Sequence, residues 1–350
     1  MNKLSVRTTA HAVVRSTSGA AQVCPDILAA IGGTPLVRLH KLTRGLASPV
    51  LVKAEFLNPS GSSKDRMARY IVEDAERRGL LKKGGTLVEC SSGNTGAGLA
   101  MIAAVKGYRC IITMSEKVSE EKRNLIRAYG AEIVVCPGNL PTDSPDHHDN
   151  LATRLAREIP GAYFPDQENN PANLEAHYRS TGPEIWQQTG GEVDYLVAGI
   201  GTGGTLCGTA RFLKEKNPRL RVIAVDPEGS VFGKYFRTGS VDGYQRYKVE
   251  GIGDYRLVDN VIFDLIDDVV SVSDQEAFAT ARRLAREEGI LAGGSSGAAV
   301  AAALRVARSL PRRAKKKFVT ILPDGGSRYL SKLYNDGWMK EQGLAEESLN

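Results

Sequence analysis

The stretch Asn58-Pro59-Ser60-Gly61-Ser62-Ser63-Lys64-Asp65-Arg66 sets one amine among small residues. A strand-like apolar run, residues 50–56, ends just before it. After it, Met67, Ala68, Ile71, Val72 and Ala75 recur at helical spacing. Ser62 or Ser63 suits the cap of that helix, Asp65 its first turn, Arg77 and Arg78 its last, and Gly79 its stop. Lys64 therefore stands at a strand–loop–helix junction, beside the positive end of a helix dipole. Stability gives no reason for a lysine there. Nearby positive charge lowers an ammonium pKa, and a free amine condenses with carbonyl compounds. A surface lysine that merely starts a helix has the same local sequence, so the remaining motifs must decide between the two.

Three more turns of small polar residues each precede a helical pattern. In Glu89-Cys90-Ser91-Ser92-Gly93-Asn94-Thr95-Gly96, backbone N–H groups and hydroxyls converge where a helix begins, which makes a carboxylate or phosphate site. An N-capped connection needs fewer such residues. Gly199-Ile200-Gly201-Thr202-Gly203-Gly204-Thr205 follows a strand-like run and suits a phosphate. It also satisfies G-x-G-x-x-G at positions 199, 201 and 204, with Asp226 where a ribose-binding acid would stand. A dinucleotide enzyme is thus a competing reading. The denser glycines and the Thr205 hydroxyl favour a single phosphate group. Gly293-Gly294-Ser295-Ser296-Gly297 opens a helix whose Ala298, Ala299, Ala301, Ala302 and Ala303 signal close packing, while the paired serines offer a hydroxyl to a ligand. Glu250-Gly251-Ile252-Gly253-Asp254-Tyr255 reads as a glycine-flexed loop with acids, or as a bare turn. His147 and His148, in the polar loop 137–150, read as solvated; no metal site is expected, and His177 reads as structural. Neither a G-x-S-x-G nor a Walker sequence occurs.

The elements that must carry these turns alternate along the chain. Strand-like runs at 35–39, 50–56, 86–89, 109–114, 132–135, 195–200, 221–225, 268–272 and 318–322 are short, rich in Val and Ile, and continuous rather than alternating. That is the mark of parallel strands covered on both faces. Helical patterns lie between them at 94–105, 120–129, 151–158, 204–216, 274–288 and 296–309. The alternation predicts an open α/β architecture with two sheets. The 350 residues suffice for two domains around a cleft. Apolar content is 42% and charged content 25%, and the net charge of +6 is interspersed. The one basic cluster, Arg312-Arg313-Ala314-Lys315-Lys316-Lys317, lacks interleaved aromatics and reads as a solvated turn, so no nucleic-acid partner is expected. The five cysteines are scattered without a C-x-x-C pair, as buried thiols in a reducing compartment would be. No apolar run reaches transmembrane length, so no membrane partner is expected. Residues 1–24 are basic, Ser/Thr/Ala-rich and free of acids, which suits a flexible extension better than a transit peptide.

Taken together these motifs resemble the pyridoxal-phosphate β-replacement family of fold type II (tryptophan synthase β-like), which includes cysteine synthase and cystathionine β-synthase. The resemblance runs from about Ile27 to Met339. It rests on Gly32-Gly33-Thr34-Pro35-Leu36-Val37, the Lys64 stretch, Ser92-Gly93-Asn94-Thr95-Gly96, Gly201-Thr202-Gly203-Gly204-Thr205 and Gly293-Gly294-Ser295-Ser296-Gly297. Val225-Asp226-Pro227-Glu228-Gly229-Ser230, Val249-Glu250-Gly251-Ile252-Gly253 and the end from Leu322 to Met339 look more like the cystathionine β-synthase branch. It implies a large cofactor-binding domain of residues 25–57 plus 165–350, a small mobile domain of 58–164, and pyridoxal 5′-phosphate in the cleft between them. It implies a Schiff base at Lys64, phosphate on Gly201, Thr202, Gly203, Gly204 and Thr205, Asn94 at the ring hydroxyl, and Ser295 at the ring nitrogen. A serine there leaves the ring a weaker electron sink than a carboxylate would, which favours loss of a β-substituent. Ser91, Ser92, Gly93 and Thr95, helped by Gln167, would bind the amino-acid carboxylate. The implied reaction is β-replacement on serine or an O-activated serine through an aminoacrylate, with homocysteine as first-choice nucleophile. Cysteine synthesis and an amine nucleophile are the alternatives within the family. Ser91 stands where threonine is usual, and Glu168 where an aromatic residue is common. Gly253 and Asp254 line the expected second-substrate entrance, where the two acids either bind an incoming ammonium or face solvent. A cytoplasmic homodimer completes what the resemblance implies.

Overall fold

Strands that are apolar on both faces have to be covered on both faces, and the chain does this twice. The computed structural model describes residues 23–311 and 313–344; the extension expected over 1–24 lies outside them up to residue 22, as does Arg312 of the basic cluster. The larger sheet is built from β1 (Leu36–Arg38), β2 (Val50–Ala54), β7 (Tyr195–Gly199), β8 (Arg221–Pro227), β9 (Asp268–Val272) and β10 (Phe318–Leu322) in the order β1-β2-β10-β7-β8-β9. All its pairings are parallel except the edge pair β1–β2. The smaller sheet, order β5-β4-β3-β6, comprises β3 (Thr86–Cys90), β4 (Arg109–Ser115), β5 (Glu132–Cys136) and β6 (Ala162–Tyr163), all parallel.

Successive residues of one strand feed opposite cores. On β7, Leu196 and Ala198 pack with Leu206, Ala210 and Leu213 of α7 (Gly204–Lys216), whereas Val197 packs with α10 (Gly294–Ser309). On β3, Leu87 packs with α1 (Lys64–Arg77) and α2 (Asn94–Lys106), and Val88 with Ala152 of α4 (His148–Glu158). Met67 and Ile71 of α1 meet Ala172 and Ala176 of α5 (Pro171–Arg179), and α5 also packs on α7, so α1 and α5 join the layers of the two sheets. The alanine run of α10 is buried as its composition predicts. Gly297 lets α9 (Asp274–Arg283) approach: a Cβ there would come within 2.0 Å of the Ala277 carbonyl oxygen. The pattern expected over 274–288 is one helix to Arg283 and then a π turn, Leu284–Glu288. The remaining helices are α3 (Glu120–Ala128), α6 (Thr181–Gln188), α8 (Phe232–Thr238) and α11 (Asp336–Glu341). Among the described residues, no helix is long and apolar enough to cross a membrane.

Candidate active site

Lys64 opens α1, and its backbone N–H donates to the Ser62 hydroxyl at 3.3 Å; Ser63 holds the cap position without a side-chain bond. The segment before it is laced to the end of β10. The Ser63 N–H donates to the Pro323 carbonyl at 2.8 Å, Ser62 bridges Asp324, and the Gly325 N–H reaches the Gly61 carbonyl at 3.3 Å. Asp65, expected to serve the helix dipole, is instead fully buried. It accepts from the Ser60 N–H at 2.6 Å and from the Ser60 hydroxyl, and burial pushes its carboxyl up to about 6. Two residues on from Lys64, Arg66 lies between Glu55 and Glu184, at 2.7 Å from each, and Lys53 joins Glu184 at 2.6 Å. Gly32, at φ +91°, passes so close that a Cβ would stand 2.9 Å from Arg66 Nη1. The buried ion group fixes the first turn of α1 and hence Lys64.

The Lys64 amine faces a cavity of about 260 Å³ between the two sheets, and no described side chain accepts a hydrogen bond from it. Its ammonium is held below the ordinary lysine range chiefly by burial, which the Asp324 carboxylate opposes. Burial, rather than the helix end, is thus the main cause. A smaller cavity of about 30 Å³ shares Ser63, Lys64, Gly201 and Thr202 with the first and ends on Gly203 and Thr205. Gly203 has φ +82°, and a Cβ on it would lie 2.3 Å from the Asn260 carbonyl oxygen; on Gly204 a Cβ would lie 2.0 Å from Asn173 Oδ1. The glycines let α7 begin at this cavity, where its free N–H groups suit an anion. The Thr205 hydroxyl meets His177 Nε2 at 3.1 Å, and His177 Nδ1 meets the Thr181 hydroxyl at 2.8 Å. Burial holds His177 down to about 3, so the imidazole is neutral.

Across the larger cavity stand Ser91, Ser92, Asn94, Thr95 and Gln167, the first four brought by the end of β3 and the start of α2. The Ser91 hydroxyl accepts from the Gly93 and Gly96 N–H groups at 3.1 and 2.9 Å and so shapes the turn, leaving its own O–H to donate. Gly93, at φ +152°, packs on Lys122, whose Cδ a Cβ would meet at 2.8 Å. Thr95 donates to Gln167 Oε1 at 2.5 Å. Asn94 donates to Asp324 at 2.9 Å and accepts from Arg328, which also reaches the Ser60 carbonyl. In the sequence Asp324 and Arg328 stand out only as part of the branch-like end 322–339, not as site residues. Ser295 is buried at the start of α10 and lines the same cavity.

The rim carries Glu168, Gly253 and Asp254. Neither acid faces open solvent. Both are half-buried, burial raises both carboxyls, Glu168 pairs with Arg256 at 2.7 Å, and Asp254 accepts from the Tyr255 and Arg256 N–H groups. Glu250 is held by Lys122 and by Lys332, the latter at 2.7 Å, and the Lys122 amine sits 4.9 Å from the Tyr329 ring centroid.

Three expectations need correction. Asp226 is only 1% exposed, accepts from the Gly233 N–H at 2.8 Å and lines neither cavity, so it offers nothing to a ribose. Gly199 does line the smaller cavity beside Gly201, and it also serves packing: a Cβ would stand 2.4 Å from Ile252. His147 is buried rather than solvated, and His148 is half-buried with its ring 4.0 Å from that of His147. The loop folds back onto β3, where Cys90 lies beside them, a proximity that sequence spacing does not reveal.

The cavity suits pyridoxal phosphate on the structure's own terms: an anion cradle, a low-pKa amine without a partner, and hydroxyl and amide groups at opposite walls. A family model described as pyridoxal-phosphate dependent enzyme matches residues 27–324. The chain is 47% identical over 328 residues to cystathionine beta-synthase of Apis mellifera, covering 93% of this chain and 64% of that protein. It is 47% identical over 332 residues to the Mus musculus cystathionine beta-synthase, covering 94% and 58% respectively. It therefore spans about three-fifths of the length of these curated relatives. Among solved structures, O-ureido-L-serine synthase is 39% identical with a TM-score of 0.83, covering 91% of this chain and all of that one. A hydrogen sulfide-producing enzyme from Fusobacterium nucleatum is 34% identical with a TM-score of 0.81, covering 88% of this chain and all of that one.

Proposed function

The chain belongs to the pyridoxal-phosphate dependent enzyme family and has its type II fold; from that premise we propose that it performs β-replacement on serine or an O-activated serine, with homocysteine as nucleophile, the cystathionine β-synthase reaction. The observation that carries this is the unpartnered amine of half-buried Lys64 sharing one cavity with the glycine cradle, in a chain 47% identical to enzymes of that name. When bound, pyridoxal phosphate supplies an electron sink that lets an amino acid lose its β-substituent and accept another.

Lys64 would hold the cofactor's aldehyde carbon, Gly201 to Thr205 its phosphate, Asn94 its ring hydroxyl and Ser295 its ring nitrogen. Neutral His177 orients the Thr205 hydroxyl. Lys64, with its pKa lowered, takes and returns the α-proton of the substrate as general base. Ser91, Ser92, Gly93, Thr95 and Gln167 bind the substrate carboxylate, since Ser91 keeps its O–H free to donate. Residues 58–164 form the domain that closes on residues 25–57 plus 165–350, and closure excludes water. At the rim, Glu168, Gly253 and Asp254 take the ammonium of the incoming amino acid, which requires Arg256 to swing off Glu168. The enzyme works as a cytoplasmic homodimer.

An amine or sulfide nucleophile is the second reading, favoured by the 39% likeness to a structure named for O-ureido-L-serine synthesis. The purified enzyme is given serine, O-acetylserine and O-phosphoserine in turn, then homocysteine, sulfide or an amine, with products weighed by mass spectrometry. Cystathionine formed with the highest kcat/KM supports the first reading, and sulfide used far better than homocysteine overturns it. Lys64→Ala should lose the yellow absorbance of the bound cofactor.

A further inference from the structure

Cys90 closes β3, and the helix that covers that strand's outer face is α4, whose first residues are His148 and Asp149. One donor atom from each of Cys90, His148 and Asp149 lies within 4.8 Å of the other two. All three are partly buried. Burial pushes the Cys90 thiol well up, and the nearby Asp149, Glu89 and Glu168 carboxylates push the same way, a cost that a bound cation would offset. Two nitrogens here are buried without a hydrogen-bond partner: Nδ1 of His148 and Nδ1 of His147, a residue only 8% exposed. His147 Nδ1 lies 3.5 Å from Asp149 Oδ2. Buried polar atoms are nearly always satisfied, so two orphaned imidazole nitrogens around one carboxylate point to an occupant.

The donors identify its class. Thiolate, imidazole and carboxylate together are a zinc set, whereas magnesium and calcium take oxygen alone. Donors around a tetrahedral zinc ion stand roughly 3–4 Å apart, so small side-chain rotations close the observed triangle. We propose that Cys90, His148 and Asp149 bind a zinc-class divalent cation, with a water in the fourth position and His147 orienting the Asp149 carboxylate. Binding replaces the thiol proton: one S–H bond breaks, one S–metal bond forms, and the proton passes to solvent with no change of oxidation state. The site lies outside the cavity of Lys64 and borders the Ser91 turn, because Gln167 Nε2 reaches the Cys90 carbonyl at 3.4 Å. It is independent of the proposed reaction.

The test uses cofactor-loaded enzyme carrying Cys24→Ser, which removes the exposed thiol. The protein is incubated with zinc chloride, freed of excess metal by gel filtration, and assayed by mass spectrometry for metals and by zinc-edge X-ray absorption. Expected are about one zinc per chain and a single sulfur neighbour at roughly 2.3 Å. Adding Cys90→Ser should reduce retained zinc at least tenfold. His147→Gln, which keeps all three ligands, should weaken affinity about tenfold to a hundredfold. Zinc retained equally by the Cys90→Ser protein, a metal shell without sulfur, or no retained zinc in the parent overturns the proposal.

Discussion

At the scale of single residues, Arg66 shows what lies beneath the reactive position. Its guanidinium is nearly inaccessible and is the partner of a fully buried Glu55. Removing one member of such a pair leaves a charge buried without compensation. Arg66→Ala should therefore cost about 3–5 kcal/mol in denaturant unfolding; a loss within about 1 kcal/mol, the range of a surface pair, would show that water reaches Glu55 freely. His177 gives a pH prediction. Its folded pKa of about 3 lies below the ordinary 6.5, so between those values the unfolded chain binds more protons and stability falls as pH falls. The loss is on the order of a few kcal/mol, and it is opposed in part by Asp65 and Asp226, raised to about 6, whose stabilisation grows as pH falls through that range. The informative measurement is the difference in unfolding free energy between the parent and His177→Gln from about pH 7 to 4, which spans most of that window. That difference should shrink on acidification, and a constant one would remove the role. Lys64, the glycine cradle and Ser295 were legible in sequence as candidates because each sits in a local turn of small residues that opens a helix. Asp324 and Arg328 were not: they meet Asn94 across 230 and 234 residues.

At the scale of elements, continuous Val- and Ile-rich runs announced parallel strands, and every one of those runs pairs in a sheet. The two-residue β6 is too short to show any period. Helices α5, α6, α8 and α11 also lie outside the helical patterns expected from the sequence. α5 had a usable signal, since Asn170 caps it and Pro171 is its first residue. α6 begins Thr181-Gly182-Pro183, which resembles a turn, although proline is tolerated in a first helical turn. Packing decides these pieces: Gly182 lies so near α7 that a Cβ would meet Phe212 Cβ at 2.8 Å. Helix α9 packs closely on α10. Gly297→Ala should destabilise by about 1–3 kcal/mol through overpacking against the Ala277 carbonyl, read as a lower thermal midpoint. An unchanged midpoint would mean the two helices separate at little cost.

At the scale of the whole molecule, an ion pair spans the cleft between the two sheets: Lys122 with Glu250, nearly inaccessible on its lysine side. Lys122 belongs to α3 beside the smaller sheet, while Glu250 lies in the loop after α8 beside the larger one. Lys122→Met keeps the stem's packing against Gly93 and removes the charge. We expect KM for the amino-acid donor to rise about tenfold with kcat changed less, in steady-state kinetics, because removing an interaction shared by ground and transition states acts on KM. A fall in kcat at unchanged KM would instead place Lys122 in the chemistry.

The backbone lacing of Gly61–Ser63 to Pro323–Gly325 has a mechanical consequence. Lys64 begins a helix that packs on the smaller sheet, yet the three residues before it are tied to the segment that directly follows β10 of the larger one. If the sheets part, they must turn about this seam, and a point on a hinge line moves least. The amine thus keeps its address whether the jaws are open or shut, and admitting a substrate need not disturb whatever the amine is holding.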